Sequence, residues 1–270
     1  MIVLTPLKKF QYPIYAECIT PEVFEGKTVA EIAELSVFEG NKQKKLGELF
    51  RIEEDPAATP NITINGDAGE VRRIAMGMKK GEIVINGNAG MHLGEKMKGG
   101  KITVNGDAAG WTGSDMKGGL IEIHGNATDY LASPYRGSTT GMRGGLIVVD
   151  GSVGSDSGGN MQGGVIKIKG GVGQFLGFGM DDGAIYVKGQ AGTRAGSCMK
   201  GGKIILAGAV EEIPPTFTID SVKPKVKVDD TETVTGPFYV FLGDRAELGT
   251  GKIFVSKANN PQLSTYEKFL

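Results

Sequence analysis

A methionine returns along the middle of this chain at a nearly fixed interval: Met78, Met97, Met116, Met142, Met161, Met180 and Met199 are separated by 19, 19, 26, 19, 19 and 19 residues. Each belongs to one thirteen-residue phrase, small-x-x-Met-x-x-Gly-x-Ile-x-aliphatic-x-Gly, at 75–87, 94–106, 113–125, 139–151, 158–170, 177–189 and 196–208. A period of this length restricts the chain to architectures in which one small unit stacks on copies of itself, since a single unit cannot bury its own apolar face.

The columns of the alignment show which side chains face inward. Five residues after each methionine stands Ile83, Ile102, Ile121, Ile147, Ile166, Ile185 or Ile204, and two further on Ile85, Val104, Ile123, Val149, Ile168, Val187 or Leu206. Residues between and beside them vary among Lys, Glu, Thr, Leu and Tyr. Alternation with period two, rich in β-branched residues, marks a half-buried strand. The gaps leave no room for crossover helices, so the strands stack directly as rungs. Glycines three and nine residues after each methionine, such as Gly100 and Gly106, supply corners where a positive φ is expected. The expected fold is all-β: a right-handed single-stranded parallel β-helix of about eight coils, on the order of 35 Å long at about 4.8 Å per rung.

Three regions follow from the pattern: an N-terminal lobe and cap (1–57), the β-helix (58–210) and a C-terminal cap and extension (211–270). Ile62, Ile64, Gly66 and Ala68 match the phrase without its methionine, giving a degenerate first coil that begins near residue 58. Leu248, Gly251, Ile253 and Val255 repeat the Met, Gly, Ile, Val spacing and predict a last imperfect rung. Within the N-terminal lobe, Thr28 and Glu31 have capping-box spacing ahead of a short helix. The charged run from Asn41 to Leu49 reads as surface helix or loop. Pro214, Pro215, Pro224 and Pro237 mark 209–247 as an extended strand-and-loop cover.

Composition removes several function classes. The 270 residues carry a formal net charge of −1, which argues against nucleic acid as the main partner. No apolar run or signal sequence points to a membrane or to export, and two cysteines suit a reducing compartment, so the expected location is cytoplasmic. Cys18 and Cys198 cannot alone hold a four-cysteine cluster, and no CxxC or HxxxH spacing offers a zinc site. His124 shares its column with Asn86, Asn105, Asp150 and Lys169, as an exposed turn residue would. His92 falls in a variable column with Trp111, Gly137, Asp156, Phe175 and Arg194. Neither imidazole points to a nucleophilic triad. The cluster Gly151, Gly154, Asp156, Gly158 lacks the GGxGxD register of calcium-binding rolls, and Gly170, Gly171 and Gly173 open no helix after a strand, which excludes a dinucleotide fingerprint. No catalytic, cofactor-binding or metal residue is assigned.

Two outward features are candidate contacts with a partner or a coenzyme. Directly after the methionines stand Lys79, Lys98, Lys117 and Arg143, then Gln162, Asp181 and Lys200. Like charges on successive rungs, about 5 Å apart, repel unless something acidic meets them. The column is either a solvated face or a stripe that docks an acidic surface or a carboxylate-bearing coenzyme. The 26-residue interval is the second feature. Its seven extra residues, between Asn126 and Ser138, form a loop carrying Tyr130, Tyr135 and Arg136, residue types enriched at binding hot spots.

The sevenfold phrase from Ala75 to Gly208, with its one 26-residue step, resembles the C subunit of formylmethanofuran dehydrogenase, and also the glycine-rich β-helix at the C-terminus of the glutamate synthase large subunit. The former resemblance implies a complex of methanogenic archaea that reduces carbon dioxide with ferredoxin electrons and forms N-formylmethanofuran, the first step of methanogenesis from carbon dioxide. It implies that the molybdenum or tungsten pterin, the iron–sulfur clusters and a dinuclear metal site lie in sibling subunits: pterin-binding, amidohydrolase-like and polyferredoxin chains. This chain would be a non-catalytic scaffold, with methanofuran as a candidate neighbour at an interface. A member of a non-redox formyltransferase/hydrolase complex and a stand-alone β-helix enzyme are the alternatives.

Overall fold

The structure, a computed structural model, describes residues 1–56 and 61–270. Strand is the dominant element, and one 13-stranded, mostly parallel sheet runs through the molecule. Its central strands are Ile62–Asn65, Glu82–Asn86, Lys101–Val104, Leu120–Ile123, Arg143–Val149, Gln162–Ile168, Asp182–Val187 and Lys203–Leu206. Each pairs in parallel with the next, in the register that the repeat dictates: Ile83 opposite Ile102, Ile102 opposite Ile121, and so on to Ile204. The long step is absorbed without a slip, because Ile121 still faces Ile147. A slip of one residue would turn every core side chain outward, so the buried face enforces this register.

Each coil meets the next a second time. Parallel bridges link Ala68, Ala89, Ala108, Ala127, Val153, Val172, Ala191 and Val210 in series. Between the two ladders the seven methionines are at most 1% exposed and the isoleucines five residues after them are fully buried. Each such side chain contributes about 1.5–3 kcal/mol on burial.

The two glycine columns do different work. Gly100 and Gly119, three residues after a methionine, have φ of 85° and 93°. A Cβ on Gly119 would lie 2.7 Å from Met97 Cε and 2.8 Å from Gly100 O. The glycines nine residues after the methionine do not have the positive φ expected of them. They are needed because the coils approach closely there: a Cβ on Gly106 would lie 2.6 Å from Gly87 O.

The flanks join the same sheet. Ile2–Pro6 pairs in parallel with Ile62–Asn65 and antiparallel with Phe50–Glu54. The expected start of the first coil, near residue 58, lies outside the described residues, whereas Ile62 and Ile64 sit opposite Ile83 and Ile85 as the spacing requires. Thr28 caps the helix Val29–Ala33 with the reciprocal Glu31 bond. The run from Asn41 to Leu49 departs from the surface helix or loop expected of it. Lys42–Lys45 is the edge strand of a small sheet, paired with Ser36–Glu39, and Leu46–Leu49 is a single helical turn whose two leucines are buried. Lysines on an exposed edge discourage further strand pairing, and this accounts for a strand written in charges.

At the other end Gly251–Ser256 is the imperfect rung, with Ile253 opposite Ile204 and Val255 opposite Leu206. An antiparallel hairpin, Thr218–Lys227 and Thr233–Gly243, continues the sheet from it. The far end of the hairpin turns back over the sheet, packing Val226, Val228 and Phe238 against Tyr186 and Ile205.

Candidate functional site

One corner of the coils carries an unusual column. Arg73, His92, Trp111, Tyr130, Asp156, Phe175 and Arg194 all adopt the left-handed conformation, with φ between 57° and 65°. An L-residue costs roughly 1–2 kcal/mol there, and glycine would avoid the cost. In this chain the position instead holds aromatic and charged side chains, brought together by the stacking of coils. The His92 and Trp111 rings are parallel within 9°, 5.4 Å apart, and Trp111 and Tyr130 within 7°, 4.6 Å apart. Further along, the Arg194 guanidinium lies 5.0 Å from the Phe175 ring centre.

Tyr130 therefore belongs to the repeating column and not to the loop where the spacing put it. Met97 N donates to Gly94 O and Met116 N to Gly113 O, whereas Met142 N makes the equivalent bond to Ala132 O at 3.2 Å. The extra residues lie between these two, in a loop of 133–141. Ala132, with φ of 60°, is the small residue that heads this repeat in place of Thr139, and Gly137 is not in the column. The pairs Leu93-Gly94, Leu131-Ala132 and Leu176-Gly177 are the sequence signal that locates the insertion. Ser133 pins the base of the loop, its hydroxyl accepting from Gly159 N at 2.8 Å and donating to Asp156 O.

The loop closes back on the column. The Tyr135 ring centre lies 6.2 Å from that of His92 and 6.0 Å from that of Trp111. Arg136 Nη2 donates to Tyr130 Oη at 3.5 Å. Beneath this corner is a line of charges: Arg73 pairs with Glu17 at 2.7 Å, His92 Nδ1 lies 3.3 Å from Glu95 Oε2, and Lys96 lies 3.3 Å from Glu95 Oε1. His92, then Lys96, holds the Glu95 carboxyl below its ordinary range against the effect of burial. Burial pushes the Asp115 carboxyl up, opposed by Lys96, Arg143 and Lys117. Trp111 Nε1 and Asp115 Oδ1 are shielded from solvent and meet no hydrogen-bond partner among the described residues.

The basic column lies beside this corner. Lys79, Lys98, Lys117, Arg143 and Lys200 are exposed, and none makes an ion pair within 4 Å among the described residues. Their spacing is set by the rungs: Lys98 N, Lys117 N and Arg143 N each donate at 2.7 Å to the methionine carbonyl one coil back.

The remaining reactive side chains stand apart. His124 is exposed, 2.8 Å from Asp150, which also pairs with Lys169 at 2.7 Å. Both cysteines are free, and burial pushes the Cys18 thiol up to about 11. Among the described residues no three His, Cys, Asp or Glu side chains gather as a metal site would require. No helix among them is long and apolar enough to cross a membrane.

No protein-family model matches the chain. Comparison with solved structures gives the class. Over 94% of its length the chain is similar to 99% of one chain of the formyltransferase/hydrolase complex from Methylorubrum extorquens in complex with methylofuran, with a TM-score of 0.86 and 27% identity. Curated sequences give the particular relatives. The chain is 48% identical over 92 residues to the C subunit of the molybdenum-containing formylmethanofuran dehydrogenase 1 of Methanothermobacter thermautotrophicus, a match covering 34% of this chain and 23% of that one. It is 41% identical over 96 residues to the C subunit of the tungsten-containing formylmethanofuran dehydrogenase 2 of Methanothermobacter wolfeii, covering 34% and 36%. The aligned part thus spans about a quarter to a third of the length of these curated relatives. The resemblance carried by the repeated phrase leads to the same subunit in both metal types.

Proposed function

We propose that this chain is a non-catalytic scaffold subunit of formylmethanofuran dehydrogenase, folded as a right-handed single-stranded parallel β-helix over 58–210 between an N-terminal lobe (1–57) and a C-terminal cap (211–270). The β-helix reading rests on two parallel ladders whose rungs recur at nineteen residues, apart from a first step of 21 and the one step of 26. The observation that carries the function is the 41–48% identity to the C subunit of that enzyme in both its molybdenum and tungsten forms. The complex reduces carbon dioxide with ferredoxin electrons and stores the product as N-formylmethanofuran. On this reading the pterin, the iron–sulfur clusters and the dinuclear metal belong to pterin-binding, polyferredoxin and amidohydrolase-like siblings in the cytoplasm.

The service of this chain is positional. A ladder of in-register hydrogen bonds keeps sites on two neighbouring subunits at a set separation, so that a reactive one-carbon unit finds its acceptor before water does. Lys79, Lys98, Lys117, Arg143 and Lys200 offer a row of cations to an acidic sibling surface or to a carboxylate-bearing coenzyme such as methanofuran. Tyr130, Tyr135 and Arg136 offer an aromatic contact beside it.

A second reading is favoured by one specific observation: the match over nearly the whole chain is to a component of a formyltransferase/hydrolase complex. That role would keep the formyl carrier and dispense with the redox subunits. Native purification followed by mass spectrometry separates the two. The first reading expects pterin-binding and polyferredoxin subunits in stoichiometric amounts; the second expects formyltransferase and hydrolase subunits without them. A chain that purifies with neither set refutes both.

A further inference from the structure

The outward face of the long sheet is used neither by the core nor by the corner described above. On each coil two strand residues point outward, four and six positions after the methionine. In the early coils these are mostly polar, Val84 excepted, and Lys101 lies 2.9 Å from Glu122 and 3.9 Å from Glu82. In the late coils Ala184, Tyr186 and Ile205 are apolar and covered, at 3%, 5% and 0% exposed, Tyr186 and Ile205 lying under the hairpin, while Lys203 stays half-buried and donates to Lys227 O. Between these zones Leu120, Leu146 and Val165 lie opposite one another on adjacent rungs, with Val148 beside them, all half-buried. Of the four, only Val165 reaches the hairpin cluster.

The hairpin shows what this face binds. Its arm lays aliphatic and aromatic side chains on Tyr186 and Ile205, and its turn places Asp229 and Glu232 on Lys167, at 2.5 and 2.9 Å. A cleft of about 210 Å³, lined by Val148, Tyr186, Lys188 and Glu232 among others, marks the seam between the covered and the bare parts. The bare part offers related chemistry, with its cations at the entry to the strands and not within a strand as Lys167 is. Its aliphatic stripe is preceded by Lys117 and Arg143, three residues before Leu120 and Leu146, and both cations lack an ion pair among the described residues.

We propose that the stripe of Leu120, Leu146, Val165 and Val148 docks an extended segment of a sibling subunit whose aliphatic side chains continue the hairpin's layer and whose Asp or Glu side chains meet Lys117 and Arg143. The proposal rests on the reading of the chain as a subunit of a complex, and narrows it to one face and one partner chemistry.

The test uses the native complex carrying a photo-reactive benzoylphenylalanine at position 146, together with the double variant Leu120→Glu, Leu146→Glu. The cross-linked peptide is expected to come from one sibling and to carry acidic residues within a few positions of aliphatic ones. The double variant should retain about tenfold less of that sibling, or less still, because two charges replace buried leucines. Two glutamates on adjacent rungs repel, so the variant's own unfolding transition is measured alongside, and the cross-link at position 146 decides the test if that transition falls. A cross-link to a second copy of this chain or to a segment without acids, or no cross-link, overturns the proposal. So does a double variant that keeps every sibling, while leaving the subunit reading intact. A wild-type chain that purifies alone overturns both.

Discussion

Gly119→Ala tests whether the glycines after the methionines are held by their neighbours or only by their own backbone. The new methyl would sit 2.7 Å from Met97 Cε and 2.8 Å from Gly100 O. That oxygen cannot withdraw freely, because it accepts the rung hydrogen bond from Leu120 N at 3.0 Å. Overpacking of this kind costs about 1–3 kcal/mol. The left-handed φ of 93° adds roughly 1–2 kcal/mol for a residue with a Cβ, partly offset by about 0.5–1 kcal/mol from a stiffer unfolded chain. The total is about 1–4.5 kcal/mol, centred near 3. Gly77→Ala is the matched control: its φ is 68° and nothing lies within 4 Å of the added methyl, so only about 1 kcal/mol is expected. At about 2–4 °C per kcal/mol for a chain of this size, thermal unfolding should show a drop centred on about 6–12 °C for Gly119→Ala and of a few degrees for Gly77→Ala. Equal losses at the two positions would refute the argument that coil-on-coil contact dictates glycine.

Met116→Ala should cost about 2–5 kcal/mol in urea unfolding, as a fully buried side chain with no room to collapse, whereas Lys117→Ala next to it should stay within about 0.5 kcal/mol. Tyr135→Ala should uncover Trp111, the sole tryptophan, and raise its quenching by acrylamide; unchanged quenching would contradict the closure of the loop on the column. The hairpin turn should loosen in acid. Burial alone would raise the pKa of Asp229, but Lys167, the Thr231 hydroxyl and two backbone amides outweigh it and hold the carboxyl well below its usual range. A carboxyl depressed on folding stabilises above the unfolded value of about 3.9, and that contribution is lost as pH falls toward the folded value. Amide exchange at 226–234, corrected for its intrinsic pH dependence, should therefore show less protection near pH 3 than near pH 6, and Asp229→Asn should flatten the difference.

Most of the ladder was legible because one constraint repeats. Ile83, Ile102 and Ile121 recur wherever a strand must face the core, and the same spacing located the isolated rung at Ile253 beyond a stretch with no period. The capping box at Thr28 was equally local. What escaped were contacts that depend on the coil above or below. Gly100 and Gly106 look alike in sequence and both meet the neighbouring coil closely, yet only Gly100 also has a positive φ, a difference no spacing shows. The column of His92, Trp111 and Tyr130 varies in side chain, and that variety hid a shared left-handed backbone and a continuous ring stack. Because the insertion falls inside the phrase, counting back from Met142 misplaced Tyr130; the Ala132 to Met142 hydrogen bond locates the extra residues, and the Leu131-Ala132 pair is the signal in the sequence that could have done so. Lys42–Lys45 carries no apolar alternation because its edge position asks for none.

Anomalous scattering from the selenomethionine-labelled protein tests the stacking of coils most directly. The account predicts that the seven selenium atoms at positions 78, 97, 116, 142, 161, 180 and 199 form a single near-straight row at about 4.8 Å intervals, with no break at the 26-residue step. Selenium sites scattered through the molecule, or a row interrupted between positions 116 and 142, would contradict it.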